Sequence, residues 1–310
     1  MTTPNGSLGI VAVVLVALAT IAIGTWGLRF SRTTSDFFVA SRTVRPALNA
    51  SAISGEYLSA ASFLGIAGLV LTFGADMLWY PVGWTAGYLV LLVLIAAPLR
   101  RSGAYTLPDF AEARLGTPMV RSTCSLLVVA IGWLYLVPQF QGAGLTLDAA
   151  IGAPSWLGAG VVAAVVLVNV LSGGMRSVTF VQAFQYWLKL TTLLVPAVFL
   201  LTVWVDDGAR SPVDVGTDAA QWSLPVADGG GPGLYLTYSL IVATFLGTMG
   251  LPHVVVRFYT NPDGRAARRT TVVVLGLLGL FYVLPRSMRR SGACTPTGRV
   301  PTYSCWSCRD

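Results

Sequence analysis

The stretch SAISGEYLSAASFLGIAG at residues 51–68 decides the fold, because it places polar groups inside a long apolar segment. It contains one glutamate, Glu56, with four serines and three glycines. A carboxylate at mid-bilayer costs about 2.5–3.5 kcal/mol on insertion scales, so Glu56 must face a partner, water or an ion. Irregular backbone survives at that depth only beside a cavity lined by protein. The stretch therefore predicts an interrupted helix with a site at residues 55–62, whereas Gly65 and Gly68 are interpreted as close helix-packing positions.

The composition is that of a membrane protein. Of the 310 residues, 55% are hydrophobic and 11% are charged, against roughly 25% charged in soluble domains. A helix needs roughly 20 apolar residues to cross a bilayer. Seven segments meet that requirement, at residues 8–28, 46–75, 77–99, 122–146, 151–174, 177–204 and 233–256. An eighth run, residues 270–285, is interpreted as too short for a normal span, so we predict an all-α protein with seven or eight transmembrane helices.

Basic residues are concentrated on one side of these spans. Thirteen arginines follow alternate spans, whereas the opposite loops carry aspartates and one basic residue, Arg210. The positive-inside rule then places the arginine-rich loops in the cytoplasm and the N-terminus outside. We therefore predict a multi-pass protein of the cytoplasmic (inner) membrane, which contacts the lipid bilayer and no nucleic acid. The thirteen, interpreted as topology signals, are Arg29, Arg32, Arg42, Arg45, Arg100, Arg101, Arg114, Arg121, Arg176, Arg257, Arg265, Arg268 and Arg269.

A second interrupted span lies at residues 233–256. It contains Gly247, Gly250 and Pro252, and it comes five spans after the first interrupted one. Paired interruptions at matching places are typical of secondary transporters built from inverted repeats. We therefore predict a transmembrane domain over residues 1–285, made of an extra helix at 8–28, a first repeat at 46–204 and the start of a second repeat at 233–285.

An interrupted helix offers two electrostatic features to ligands. Carbonyl groups at the end of its first half suit Na⁺, and N–H groups at the start of its second half suit a carboxylate. Pro138 is expected to kink the span at residues 122–146, where Gln139 and Gln141 place amides at membrane depth. These amides either form interhelical hydrogen bonds or line a substrate path, and the sequence leaves both interpretations open. His253 is interpreted as a helix-end packing residue.

Two other segments lie outside the spans. Residues 106–116, TLPDFAEARLG, predict a short amphipathic helix at the cytoplasmic surface, with Asp109 as a helix-start residue rather than a ligand. Residues 286–310 contain five arginines, three of the four cysteines and no apolar run. We interpret them as an aberrant, disordered tail, of the kind that a truncation or a change of reading frame leaves.

Three motifs resemble the sodium:solute symporter family. They are GEYLSAASFLGIAG, LYLVPQFQGAG and GTMGLPHVVVRFYT, within residues 35–284. The resemblance is closest to the cation/acetate and monocarboxylate permease branch, and the run at residues 250–257 is its most specific part. It implies a five-plus-five inverted-repeat (LeuT-like) fold, preceded by one extra helix and incomplete at the C-terminal end.

The resemblance also implies site residues. Main-chain carbonyls at positions matching Gly55 and Leu58 are expected to bind one Na⁺. Two departures from the family pattern matter. Phe180 stands where many members carry an aspartate, which removes the support for a second Na⁺, and the eighth core helix with its paired hydroxyl ligands is missing. The expected substrate-binding residues are Tyr57, Ser59, Ser62 and Gln139, and Glu56 is expected to support the ion electrostatically.

The predicted function is Na⁺-coupled symport of short monocarboxylates such as acetate, propionate or pyruvate. No nucleophile–base pair or HExxH-type cluster lies in or beside the spans, so we do not predict an enzyme, and Na⁺ as the coupling ion takes the place of any cofactor. The alternative is a truncated, non-transporting gene product or a membrane subunit that depends on a partner. The sequence leaves open the choice between Na⁺ and H⁺.

Overall fold

The computed structural model describes residues 6–27, 29, 33–59, 62, 65–66, 68–69, 75–206 and 231–293. All regular secondary structure of the described part is helical. In chain order, its α-helices are α1 (Gly6–Gly27), α2 (Thr34–Val39), α3 (Pro46–Tyr57), α4 (Trp79–Val90), α5 (Ala96–Arg101), α6 (Leu107–Leu115), α7 (Pro118–Ile151), α8 (Ser155–Asp206), α9 (Gly231–Gly250), α10 (Pro252–Val255) and α11 (Gly264–Ala293). Three-ten helices cover Ala40–Arg42, Ala75–Leu78 and Val256–Thr260, and a π-helix covers Leu91–Ile95.

Within the described residues, six helices are long and apolar enough to cross a membrane. One of them, α8, contains two of the spans predicted separately, because its 52 residues are interrupted only at Gly174. Gly174 has φ 55° and ψ −140°, and a Cβ there would lie 2.6 Å from the carbonyl oxygen of Phe37. Only glycine fits this turn.

The eighth apolar run forms a full span, so its interpretation as too short is wrong. The spanning part of α11 is Gly264–Leu284, 21 residues long. The helix begins before the apolar run because Asp263 accepts a hydrogen bond from the N–H of Ala266 at 2.6 Å, a bond that lowers the pKa of this exposed carboxyl group. The helix also continues to Ala293. The disordered tail thus stays a prediction, with residues 286–293 assigned to α11 and residues 294–310 outside the described part.

The chain divides into two compact units, each described here by itself. The first consists of Met1–Ala61, Val90–Tyr186 and Gly250–Val274, and the second of Ser62–Leu89, Trp187–Met249 and Leu275–Asp310. In the second unit, α4 packs closely on α9. A Cβ at Gly87 would lie 2.7 Å from Cβ of Thr248, and a Cβ at Gly83 would overlap Oγ1 of Thr244. Small residues at these positions let the two backbones approach, as is common between membrane helices.

In the first unit, the predicted extra helix is α1, and it packs on α8. The hydroxyl of Ser177 donates a hydrogen bond of 2.7 Å to the carbonyl oxygen of Gly24. A Cβ at Gly27 would overlap that same hydroxyl. The ring of Trp26 contacts Phe180 edge-on, with centroids 5.6 Å apart. Position 180, where the family resemblance implies an aspartate, is therefore used for apolar packing against α1.

The predicted surface helix at residues 106–116 is confirmed as α6. Thr106 and Asp109 form a reciprocal capping box, with hydrogen bonds of 3.2 and 3.1 Å between side chains and backbone N–H groups. Gly116 ends the helix in a left-handed conformation, with φ 72°. Arg121 of α7 contacts Asp109 and Glu112 at 3.0 and 3.3 Å. The interpretation of Asp109 as a helix-start residue is therefore confirmed.

Replacing Thr106 with alanine is expected to destabilise α6 locally by about 1 kcal/mol, because one helix N–H then loses its acceptor. Amide hydrogen exchange over residues 107–115 should become about fivefold faster. Thr123→Ala is the matched control, since the Thr123 hydroxyl bonds only to the carbonyl oxygen of Met119 within its own helix, at 3.0 Å. Equal effects of the two substitutions on exchange in α6 would contradict the capping role.

Candidate functional site

The first predicted interruption lies directly after α3. Leu58 makes the last helical hydrogen bond, from its N–H to the carbonyl oxygen of Ser54 at 3.0 Å, and then leaves the helix with φ −73° and ψ 66°. The N–H of Ser59 donates to the carbonyl oxygen of Tyr57 at 2.7 Å. These are the geometry and the hydrogen bond of an inverse γ-turn centred on Leu58. The predicted interruption of this helix is therefore confirmed at Leu58–Ser59.

The carboxylate of Glu56 is paired with a buried arginine. Nε of Arg257 lies 2.7 Å from Oε2 of Glu56, and the two side chains are 2% and 18% exposed. Arg257 also donates to the hydroxyl of Thr179 at 2.9 Å, while its carbonyl oxygen accepts from the amide of Asn49 at 3.0 Å. The interpretation of Arg257 as a topology signal is therefore wrong, because its charge is enclosed in the protein and compensates Glu56.

The second predicted interruption is also confirmed. Helix α9 ends at Gly250, and Leu251 is extended, with φ −66° and ψ 109°. The carbonyl oxygen of Leu251 then accepts hydrogen bonds from the N–H groups of Val254 and Val255, at 3.2 and 3.1 Å, which start the short helix α10. The interruption therefore ends α9 and starts the new helical segment that carries His253 and Arg257.

Three polar side chains meet beside the interruption of α3. The ring of His253 packs on that of Tyr135, with centroids 4.4 Å apart and an angle of 38° between the planes. Tyr135 in turn shares a side-chain hydrogen bond with Ser59. Nε2 of His253 is buried, and no hydrogen bond reaches it from the described part of the chain. A buried polar atom in this state is compatible with the binding of a water molecule or a ligand.

The other residues predicted for the site occupy different environments. Tyr57 and Leu58 are buried at the end of α3, and Ser62 is buried in the second compact unit. Gln139 is half-buried on α7, one helical turn after Tyr135. The helix assignment of α7 continues through Pro138, so the proline does not end it. Tyr135 was not among the predicted site residues. It precedes Gln139 by four positions, which places both side chains on one face of α7.

Gly55 is a packing position. A Cβ at Gly55 would overlap the carbonyl oxygen of Gln182 in α8 and lie 3.3 Å from Cβ of Tyr186. At Gly65 and Gly68, by contrast, no atom lies within 4 Å of an added Cβ among the described residues. Close packing is therefore seen at Gly55, whereas the interpretation of Gly65 and Gly68 as packing positions stays a prediction. An ion bound by a main-chain carbonyl does not require glycine, because every residue has a carbonyl group. The close contact with α8 therefore explains why residue 55 is glycine.

Within the described residues, six long apolar helices, together with two helices that end at interruptions, are typical of a multi-pass membrane protein. A sequence profile of the sodium:solute symporter family matches residues 37–290. The chain belongs to the sodium:solute symporter family.

Two comparisons give the extent of the similarity. The chain is 31% identical over 275 residues to an uncharacterized symporter, YwcA, of Bacillus subtilis (strain 168). The aligned region covers 86% of this chain and 52% of that protein. It also superposes on a Na⁺-coupled sialic acid symporter, solved in a substrate-bound outward-open state, with a TM-score of 0.67 and 13% identity over 95% of this chain and 60% of that one. The chain thus spans about half the length of the curated relative. The likeness to the solved structure concerns the fold alone, and the inverted repeat stays a prediction.

Proposed function

We propose that this chain carries out, as part of a symporter, the Na⁺-coupled uptake of short monocarboxylates such as acetate, propionate or pyruvate across the cytoplasmic membrane. The observation that carries the proposal is the interruption of α3 at Leu58–Ser59, next to a half-buried and charge-compensated Glu56. Membership of a family of Na⁺-coupled transporters supports the same reaction class. The N-terminus is proposed to lie outside, with the arginine-rich loops in the cytoplasm.

The proposed cation ligands are the peptide oxygens of Gly55 and Leu58. The C-terminal end of a helix carries partial negative charge, which favours a monovalent cation there. Arg257 already balances the charge of Glu56 at 2.7 Å. We therefore assign the cation to the carbonyl dipoles, while Glu56 acts on the site through its ion pair with Arg257.

The proposed carboxylate-binding groups are neutral donors. Ser59 and Tyr135 are hydrogen-bonded to each other, and Nε2 of His253 is buried beside them with no hydrogen bond from the described residues. A small carboxylate needs such donors, since Arg257 is already engaged by Glu56 and Thr179. Tyr57, Ser62 and Gln139 are kept from the sequence prediction as further candidates. The chemistry of the group at Ser59 thus favours a short anionic solute.

Uptake by the purified chain in proteoliposomes tests this proposal. We expect an inward Na⁺ gradient to drive uptake of labelled acetate or pyruvate, and an equal choline gradient to leave only background uptake. A proton gradient without Na⁺ serves as the third condition. Ser59→Ala is expected to lower uptake about tenfold or more, because a polar partner of Tyr135 is removed. The control is Ser122→Ala, which removes an exposed hydroxyl bonded within α7 at 3.4 Å.

A second candidate function is that of a membrane subunit that transports only together with a partner, or a piece that does not transport at all. The chain spans 52% of YwcA and 60% of the solved symporter, which favours this candidate. It predicts no Na⁺-driven uptake by the chain alone, although the chain inserts and folds. Co-expression with a polypeptide that matches the remaining part of YwcA should then restore uptake if the chain is a subunit. Na⁺-driven uptake by the chain alone would exclude the second candidate.

A further inference from the structure

The first compact unit contains a basic cavity away from the interruption of α3. It has a volume of about 190 Å³, room for several water molecules. Two arginines and two threonines contribute polar groups, and three apolar side chains form the rest of the wall. The lining residues are Thr43, Val44, Arg45, Leu48, Arg176, Thr179 and Phe180.

One arginine of the cavity is held rigidly. Nη1 of Arg176 lies 3.0 Å from Oδ1 of Asp36. Asp36 is itself fixed, because it accepts hydrogen bonds from the hydroxyl of Ser41 at 2.5 Å and from the hydroxyl of Thr33 at 2.8 Å. A guanidinium oriented in this way loses little side-chain entropy when it also contacts an anion.

The other arginine is not compensated. Arg45 is exposed, and its side chain makes no hydrogen bond or ion pair with any residue that the structure describes. The described lining contains no acidic residue, and the nearby Asp36 forms an ion pair with Arg176. The cavity therefore has an excess positive charge. Arg45 differs from an isolated surface arginine because it lines the same cavity as a second, preorganised guanidinium.

The cavity lies where lipid headgroups are expected. Arg45 directly precedes the apolar segment that begins with α3, and Arg176 follows the interruption of α8 at Gly174, between two apolar runs. Arg45 therefore precedes the span predicted at residues 46–75, and Arg176 lies between the spans predicted at residues 151–174 and 177–204. Val44, Leu48 and Phe180 provide an apolar wall beside the charges. Basic pockets between membrane helices recognise the phosphate groups of anionic lipids in this way.

From the paired arginines, the apolar wall and the interfacial position, we propose that this cavity binds the headgroup phosphate of an anionic phospholipid. The two guanidinium groups contact the phosphate, and the apolar wall contacts the glycerol and the first acyl carbons. Free phosphate has the same charge chemistry, but it has no group that the apolar wall would bind. The proposal does not depend on which solute the protein transports.

The test measures binding of acyl-labelled phosphatidylglycerol to the purified chain in detergent micelles that contain excess phosphatidylcholine. Arg45→Gln should weaken binding about fivefold, the usual effect of one interfacial arginine, while Arg45→Lys should retain most of it. The matched control is Arg268→Gln, which removes an exposed arginine that has no side-chain partner among the described residues. It should change binding less than about twofold, since it lies outside the cavity.

Equal weakening by Arg45→Gln and Arg268→Gln would overturn the proposal, because it would show diffuse attraction to a basic surface. A second arm adds inorganic phosphate to the same assay. Displacement of the lipid at phosphate concentrations comparable to that of the lipid would overturn the lipid assignment in favour of a free-anion site. Thermal unfolding of Arg45→Gln should match that of the wild type, since Arg45 has no side-chain partner to lose within the described part.

Discussion

Replacing Arg257 with methionine is expected to lower the free energy of unfolding by about 3–5 kcal/mol, the usual cost of leaving one member of a buried ion pair alone. The side chain of Arg257 is 2% exposed, and it contacts Glu56 at 2.7 Å and Thr179 at 2.9 Å. Methionine fills much of the same volume, so the loss comes mainly from the uncompensated carboxylate. Thermal unfolding of the protein in lipid nanodiscs measures the effect.

The double variant Glu56→Gln with Arg257→Met separates two roles of Glu56. If Glu56 mainly balances Arg257, the double variant should regain most of the stability lost by Arg257→Met, because no buried charge is left alone. If the carboxylate instead holds Na⁺ directly, the double variant should fold but lose Na⁺-dependent stabilisation. That outcome would contradict the assignment of the cation to the carbonyl groups of α3.

Arg121→Met is the matched control for Arg257→Met. It makes the same substitution in an ion-paired arginine, but Arg121 is 56% exposed and contacts Asp109 and Glu112 at the surface. Exposed ion pairs contribute about 0–1 kcal/mol. A loss of stability in Arg257→Met no larger than that in Arg121→Met would show that the Glu56–Arg257 pair is solvated in the membrane-embedded protein.

The interruptions of two helices could be predicted from the sequence because they depend on local chemistry. A glutamate among serines and glycines marks the end of α3, and the run Gly250–Leu251–Pro252 marks the end of α9. Glycine and proline disfavour a continuous helix, and a membrane span has no other use for a carboxylate. Each of these signals lies within a few residues of the interruption that it predicts. A single sequence predicts such local features better than contacts between distant residues.

The partners of these residues could not be predicted, because they lie far apart in the chain. Arg257 and Glu56 are 201 positions apart, and an arginine after a membrane span has the same sequence signature whether it faces the cytoplasm or a buried carboxylate. Gly55 and Gly65 likewise look alike in sequence, yet only Gly55 faces the backbone of α8. The full length of α11 was not predicted, because the apolar run at residues 270–285 leaves out Arg265, Arg268 and Arg269. These arginines are compatible with a span, since long basic side chains near a helix end can reach the polar interface.

Replacing Gly55 with valine is expected to cost about 3 kcal/mol of folding free energy, near the upper end for overpacking. The new Cβ would overlap the carbonyl oxygen of Gln182, a backbone atom of α8 that no side-chain rotation can move. Helix α3 must therefore shift away from α8, and the ion pair of Glu56, the next residue, shifts with it. Chemical denaturation in mild detergent measures the loss.

Gly65→Val provides the comparison within the same predicted span, because nothing lies within 4 Å of a Cβ at that position among the described residues. It should cost less than about 1 kcal/mol, as is usual for changes away from a packed contact. Both substitutions leave the peptide carbonyl in place, so neither removes a backbone ligand for Na⁺. If Gly55→Val matched Gly65→Val in stability, α3 and α8 could not be in close contact at Gly55, and the proposed cation site beside it would lose the packing that holds it.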